Sequence, residues 1–122
     1  MVAQAQRDFP LECCGLLAGK TEQVTHVFPM MNVDQSRVSY IMDPKEQFKI
    51  FKEIRDTGIE LQAIYHSHPK HPAYPSATDV RLAYYPEAIY FILSIQDNQD
   101  EPLIRGFRIV QGEISEISFT IE

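Results

Sequence analysis

The run Leu61-Gln62-Ala63-Ile64-Tyr65-His66-Ser67-His68 alternates like a strand, ends on paired histidines and meets Pro69. Period-two alternation sets Gln62, Ile64, His66 and His68 on one side and Leu61, Ala63 and Tyr65 on the other. The two imidazoles therefore project together from the strand end, close enough to share one metal ion. Pro69, Pro72 and Pro75 exclude both a continued strand and a long helix, which leaves a stiff loop. A short helix is expected from Ala77 to about Tyr84, stopping at Pro86, and Asp79 in its first turn is placed to be a third ligand. Any fold for this chain has to be built around that corner.

Length and charge limit the host. At 122 residues the chain is long enough for one core and too short for two, so residues 1–122 are expected to form a single domain. Eight-stranded α/β barrels of about 250 residues, another setting for paired metal-binding histidines, are excluded by length. A net charge of −6, with the 11 Lys and Arg scattered, argues against a nucleic-acid partner. The longest apolar run, Ala88-Ile89-Tyr90-Phe91-Ile92-Leu93, is far short of the roughly 20 residues that span a bilayer and reads as a buried strand, so no membrane partner is expected. Residues 1–8 lack the basic start and apolar stretch of a signal peptide, which makes a cytoplasmic location the expectation. Cys13 and Cys14 are adjacent and have no distant thiol to pair with, in keeping with a reducing compartment.

The remaining elements follow from local signals. Val2 to Asp8 is rich in helix formers and ends before Phe9-Pro10, as the last turns of a helix would, which suggests that something upstream is absent. Cys14 to Ala18 and Val24 to Phe28 form a hairpin across Gly19-Lys20-Thr21-Glu22, and Ser36 to Met42 reads as a further strand. Asp43 caps a helix with Pro44 at its first position and Glu46 where a capping box needs it; Phe48, Ile50, Phe51 and Ile54 make its buried stripe and Thr57-Gly58 its exit. Strands at Ile89 to Ile95, Leu103 to Val110 and Ile114 to Ile121 follow, separated by polar turns at Asp97 to Pro102 and Gln111-Gly112. The whole is an α+β fold in which a mixed, mostly antiparallel curved sheet is flanked by two or three helices.

Three protein ligands with one open position describe a catalytic zinc site, whereas a structural site closes all four positions and usually uses thiolates. Each part also has a plainer explanation. A bare His-x-His is often a surface or structural pair, and Ser76-Ala77-Thr78-Asp79 matches a helix capping box, with Asp79 as cap partner only. The joint presence of His66, His68, Pro69, Pro75, Ser76 and Asp79 shifts the balance towards a metal.

With those residues in place the chain resembles the JAMM metallopeptidases of the JAB/MPN family. Their pattern of His-x-His-Pro, then Ser, two residues and Asp, with a Glu far upstream, is filled at every position. Pro10-Leu11-Glu12-Cys13-Cys14-Gly15-Leu16-Leu17-Ala18-Gly19 is similar to the family's Pro-x-Glu-x-Cys-Gly-Leu-Leu-x-Gly block. The resemblance covers nearly the whole chain and implies a layering like that of cytidine deaminases. It implies that His66, His68 and Asp79 bind zinc, that Glu12 is general base and acid, and that Ser76 stabilises the oxyanion. Nothing else singles out Glu12, which by itself is an ordinary carboxylate. Two departures stand out. Ala63-Ile64-Tyr65 precedes the first metal histidine where the family often has Gly and Trp, and the usual strand ahead of the first helix is missing, as in a trimmed or divergent sheet edge.

Other polar candidates are weaker. Cys13 and Cys14 point oppositely on a strand, so at most one faces the site, and packing is the expected role of both. His71 is a candidate to support or replace a ligand and His26 a candidate functional group, each set against the plain surface residue that a loop or strand histidine usually is, and Tyr65 and Tyr74 are substrate contacts or half-buried aromatics. What the resemblance implies is a zinc-dependent peptidase or isopeptidase. Its compact size is similar to bacterial members that cut the Gly-Gly-type C-terminal tail of ubiquitin-like sulfur-carrier proteins, which makes such a carrier the expected partner. Two alternatives remain at this point: a non-catalytic MPN scaffold, and a small metal oxygenase of cupin type.

Overall fold

The computed structural model describes residues 1–37, 39–96 and 101–121. Its centre is β1 (Cys14–Lys20), an almost wholly buried strand that pairs antiparallel with β2 (Gln23–Met30) on one side and β3 (Glu60–His68) on the other. The β1–β2 turn places Thr21 and Glu22 at positive φ, the geometry that matches the twist of a two-residue hairpin. β3 pairs in parallel with β4 (Ile89–Ser94), and β5 (Leu103–Val110) and β6 (Glu113–Ile117) complete an antiparallel edge. The six strands run in the order β2-β1-β3-β4-β5-β6, a mixed, mostly antiparallel sheet with one parallel pair.

Helices cover both faces. α1 (Val2–Asp8) lies on the face of Cys13, Leu17, Ala63, Tyr65, Phe91 and Leu93, contributing Ala5 to that core. α2 (Pro44–Asp56) and α3 (Ala77–Arg81) pack on the other, where Cys14, Leu16, Ile64, Tyr90, Ile92 and Phe107 are buried. Cys13 and Cys14 thus fall into different cores, both as packing groups. α1 is pinned by Gln4, whose Nε2 donates to the Cys14 carbonyl at 2.9 Å while its Oε1 accepts from the Tyr65 hydroxyl. That contact explains Gly15, which stands opposite Tyr65 in the ladder: a Cβ there would lie 2.2 Å from the Tyr65 oxygen.

Several expectations shift. The Ser36 to Met42 segment forms no strand among its described residues, only an isolated bridge from Asn32 to Met42; Val38 lies outside them, as do residues 97–100 of the expected turn. Phe48 is 74% exposed, while Ile50, Phe51 and Ile54 face the core. At 100° per residue it sits about 110° from the centre of that stripe, too far round to be buried. Glu46 closes no capping box; its Oε1 accepts from the Met31 amide at 2.9 Å and ties α2 to the end of β2. Leu61 joins the core of Ile64 and not that of Ala63 and Tyr65, because a bulge shifts the β1–β3 register between Leu17 and Ala18. α3 ends at Arg81, and β6 ends at Ile117, after which the Phe119 ring packs edge-on against Phe91 at 4.9 Å. Among the described residues no helix is long and apolar enough to cross a membrane.

Candidate metal centre

The last residues of β3 and the first turn of α3 converge on the helix-covered α2/α3 face. His66 Nε2 lies 3.1 Å from His68 Nε2 and 3.2 Å from Asp79 Oδ2, and His68 Nε2 lies 3.0 Å from the same carboxylate oxygen. All three side chains are at least nine-tenths buried. They form the group of metal-type ligands found among the described residues. Zinc bonds of about 2.0–2.1 Å at tetrahedral angles would set ligand atoms about 3.3 Å apart, and the observed triangle is close to that size.

Protonation sharpens the fit. His68 Nδ1 lies 2.8 Å from the Pro72 carbonyl, which can only accept, so this nitrogen carries a proton and donates it. In the neutral ring Nε2 is then a lone pair facing a carboxylate oxygen, a repulsive contact that positive charge between them turns into an attractive one. One proton can bridge one pair; a cation satisfies all three atoms. Burial lowers His66, partly offset by Asp79. Burial also acts downward on His68, but Asp79 and the Pro72 carbonyl outweigh it and raise that ring. Asp79 is pushed up by burial, yet the facing His66 and His68 rings, which attract its charge once protonated, and the Ser76 amide hold it well below the usual carboxylate range. The donor set of two imidazoles and one carboxylate suits a divalent metal of the zinc type.

Glu12 reaches this corner through sheet register. Cys14 pairs with His66 across β1 and β3, so the same ladder continued by two residues sets Glu12 beside His68, and alternation keeps both on the ligand face. The continuation is held by Ser67, whose Oγ accepts from Cys13 N at 2.8 Å while its own amide donates to the Cys13 carbonyl at 3.0 Å. Glu12 is 2% exposed, and its Oε1 has no hydrogen-bond partner among the described residues. Burial pushes its pKa up to about 8, with His68 pulling down and Asp79 and Asp34 adding to the rise.

Ser76 has the plainer role and keeps the other open. Its Oγ accepts from Asp79 N at 3.1 Å and its amide donates to Asp79 Oδ2 at 2.9 Å, a complete capping box. The same Oδ2 faces both histidines, so cap partner and candidate ligand are one atom. Ser76 is exposed, and its hydroxyl proton is not spent in the cap.

The other candidates separate clearly. His71 is exposed with its ring edge-on to His68 at 6.2 Å; His26 sits exposed on the edge strand β2, bonded to Thr25. Tyr65 is fully buried on the far face, so it is not a surface for substrate, while Tyr74 is 49% exposed and packs edge-on to Phe107. Two contributors carried no sequence signal: the Pro72 carbonyl, and Tyr40, whose ring stacks on His66 at 4.7 Å between centroids. Tyr40 belongs to the segment that resembles a strand, where alternation gives no hint of a ligand contact.

A family model described as prokaryotic homologs of the JAB domain matches residues 1–110. The chain belongs to this family. Within the JAB family it is 42% identical over 118 residues to the CysO-cysteine peptidase of Mycobacterium tuberculosis, spanning 95% of this chain and 80% of that protein. It is 41% identical over 93 residues to a desampylase of Haloferax volcanii, 74% of this chain and 67% of the relative. The solution structure of a Desulfitobacterium hafniense protein superposes with a TM-score of 0.87 at 37% identity, covering all of this chain and 86% of that one. Membership and the single open sheet remove the cupin alternative, which requires a double-sheet jelly roll.

Proposed function

We propose that this JAB chain is a zinc-dependent peptidase or isopeptidase that hydrolyses an amide at the Gly-Gly-type C-terminal tail of a ubiquitin-like or sulfur-carrier protein. In this reading residues 1–122 act as one JAB/MPN domain in the cytoplasm. The observation that carries it is the convergence of His66 Nε2, His68 Nε2 and Asp79 Oδ2 beside a buried carboxylate, Glu12, whose Oε1 has no hydrogen-bond partner among the described residues. Names borne by relatives, CysO-cysteine peptidase and desampylase, support an amide of a carrier-protein conjugate as the bond.

His66, His68 and Asp79 would hold the ion, and the Pro72 carbonyl keeps His68 in the tautomer that presents Nε2 inward. Bound zinc supplies Lewis-acid polarisation of the scissile carbonyl and makes water acidic enough to attack near neutral pH. Glu12 accepts the proton of the attacking water and returns it to the departing amine as the C–N bond breaks. The Glu12 carboxylate is buried, and its Oε1 has no hydrogen-bond partner among the described residues, so it is available to take that proton and pass it on. The Ser76 hydroxyl, with its oxygen engaged by Asp79 N, has its proton free to donate to the developing oxyanion.

The test is direct. A carrier protein ending in Gly-Gly plus one appended amino acid is mixed with the enzyme and its mass followed with and without chelator. Loss of the appended residue only in the absence of chelator is the expected result; no chelator-sensitive cleavage of any such substrate overturns the reading. A non-catalytic scaffold would predict wild-type behaviour from Glu12→Gln, because no bond is broken.

A further inference from the structure

Asn32 stands just beyond β2 and uses every hydrogen-bonding position of its side chain. Nδ2 donates to the Glu12 carbonyl at 3.1 Å and to the Ser39 carbonyl at 3.0 Å. Oδ1 accepts from the Asp34 amide at 3.1 Å and the Ile41 amide at 2.9 Å. Two protons meet two carbonyls and two lone pairs meet two amides, so the orientation of the amide is fixed by its partners. The loop is closed further by Val33 N on the Ile41 carbonyl at 2.8 Å, and Glu12 itself is held on its amide side by the Ser36 carbonyl at 2.8 Å.

Both ends of this bracket lead to the metal corner. Glu12 is the buried carboxylate assigned the proton transfers. Tyr40, between the two residues that Asn32 grips at Ser39 and Ile41, stacks on the ring of His66 with planes 26° apart. We infer that Asn32 is a positioning residue for hydrolysis: its amide fixes the Glu12 backbone against the loop that carries Tyr40, and so sets the carboxylate relative to the ligand His66. All four polar positions of the Asn32 side chain are spent on backbone groups, so it acts through Glu12. The inference rests on the proposed role of Glu12, because a residue acting through Glu12 matters to turnover only if Glu12 does.

Asn32→Asp isolates the donor half. Its oxygens can still accept from Asp34 N and Ile41 N, but nothing remains to donate to Glu12 and Ser39. With the carrier bearing one appended amino acid as probe, the expected result is kcat lowered about tenfold or more and KM within about twofold, at unchanged zinc content and an unchanged visible spectrum of the cobalt-substituted protein. The deciding readout is the double variant Glu12→Gln/Asn32→Asp, which should be no slower than Glu12→Gln alone, since the second change acts only through the first. A merely structural Asn32 would slow both backgrounds by the same factor.

Full kcat in Asn32→Asp, the same factor in both backgrounds, or loss of metal overturns the inference. If Asn32→Asp does not fold, Asn32→Ser gives up the same donors without adding charge and carries the same expectation; failure of both to yield a metal-binding fold makes Asn32 structural and also overturns it. If the wild type is inert on the probe, the functional reading falls by itself. The inference is then read from the Glu12 carboxylate carbon resonance, identified by its absence in Glu12→Gln. A shift of that signal in Asn32→Asp with the cobalt spectrum retained supports positioning, and an unmoved signal defeats it.

Discussion

The ligand corner and the Glu12 arm are built by opposite means. His66, His68 and Asp79 lie within one strand end, one proline loop and one helical turn, and their contacts are made along residues 66–79, with the Pro72 carbonyl and the Ser76 cap as local supports. Glu12 is far away in sequence and arrives only because β1 pairs with β3, because Ser67 clasps Cys13, and because Asn32 binds the Glu12 carbonyl. A local site can form wherever its short segment folds, whereas the arm depends on the register of the whole sheet. The two regions should therefore fail differently when damaged.

Damage to the corner has the largest expected effect. Asp79→Ala removes one of the three proposed metal ligands and the partner of the Ser76 cap together, so metal analysis should find no stoichiometric zinc and activity should fall to background. Damage to the arm should leave the metal in place: Glu12→Gln is expected to lower kcat by about 10²–10⁴ with zinc still bound one to one. Loss of metal in Glu12→Gln would show that arm and corner are not separable. Ser76→Ala, at the boundary of cap and site, should cost about 0.5–2 kcal/mol in a chemical-denaturation experiment from the cap alone and lower kcat further without moving KM.

Stability tests reach the scaffold behind the arm. Gly15→Ala drives a methyl into Tyr65 and off-sets its bond to Gln4 on the α1 face. Overpacking of this kind costs about 1–3 kcal/mol, read as a lowered thermal midpoint, while each folded molecule keeps its metal. The smallest effect is a slope with pH in the metal-free protein. Glu12 is raised from its ordinary 4.5 to about 8, so its folded form holds the proton more tightly. The stability this gives is fully present below pH 4.5, declines as pH rises and is gone above about 8. Asp79 acts with the other sign: its lowered pKa gives stability present above its ordinary 3.8 and lost as pH falls. Urea midpoints measured in chelator should lose the high-pH decline in Glu12→Gln, and an unchanged slope there would mean that Glu12 is solvated.

Local chemistry explains which expectations held. Asp43 and Pro44 start α2, Gly58 at positive φ follows its end, and β5 runs over the span its alternation indicates, because caps, turns and half-buried strands are decided by near neighbours. Ser36 to Met42 has strand-like residues, but the Asn32 side chain takes the Ser39 carbonyl and Ile41 amide that a strand would offer to a sheet. Phe48 departs from its expected burial because a run of apolar residues on a helix leaves the width of the buried face undecided until its partner is known. Tyr40 and Asn32 leave no signal in the sequence for a related cause: both contact groups remote in sequence, and neither belongs to a motif with its own spacing.

By itself the sequence brought together the candidate ligands His66, His68 and Asp79, since strand alternation, proline stiffness and a one-turn helix operate over a few residues. Resemblance to a family named Glu12 but could not bring it to the candidate ligands. Only the tertiary structure decided that, through the antiparallel register that sets Glu12 beside His68 and the Asn32 bracket that holds it. Pairing between strands is a choice among many registers, and the choice is made by burial across the whole sheet, which no short segment contains.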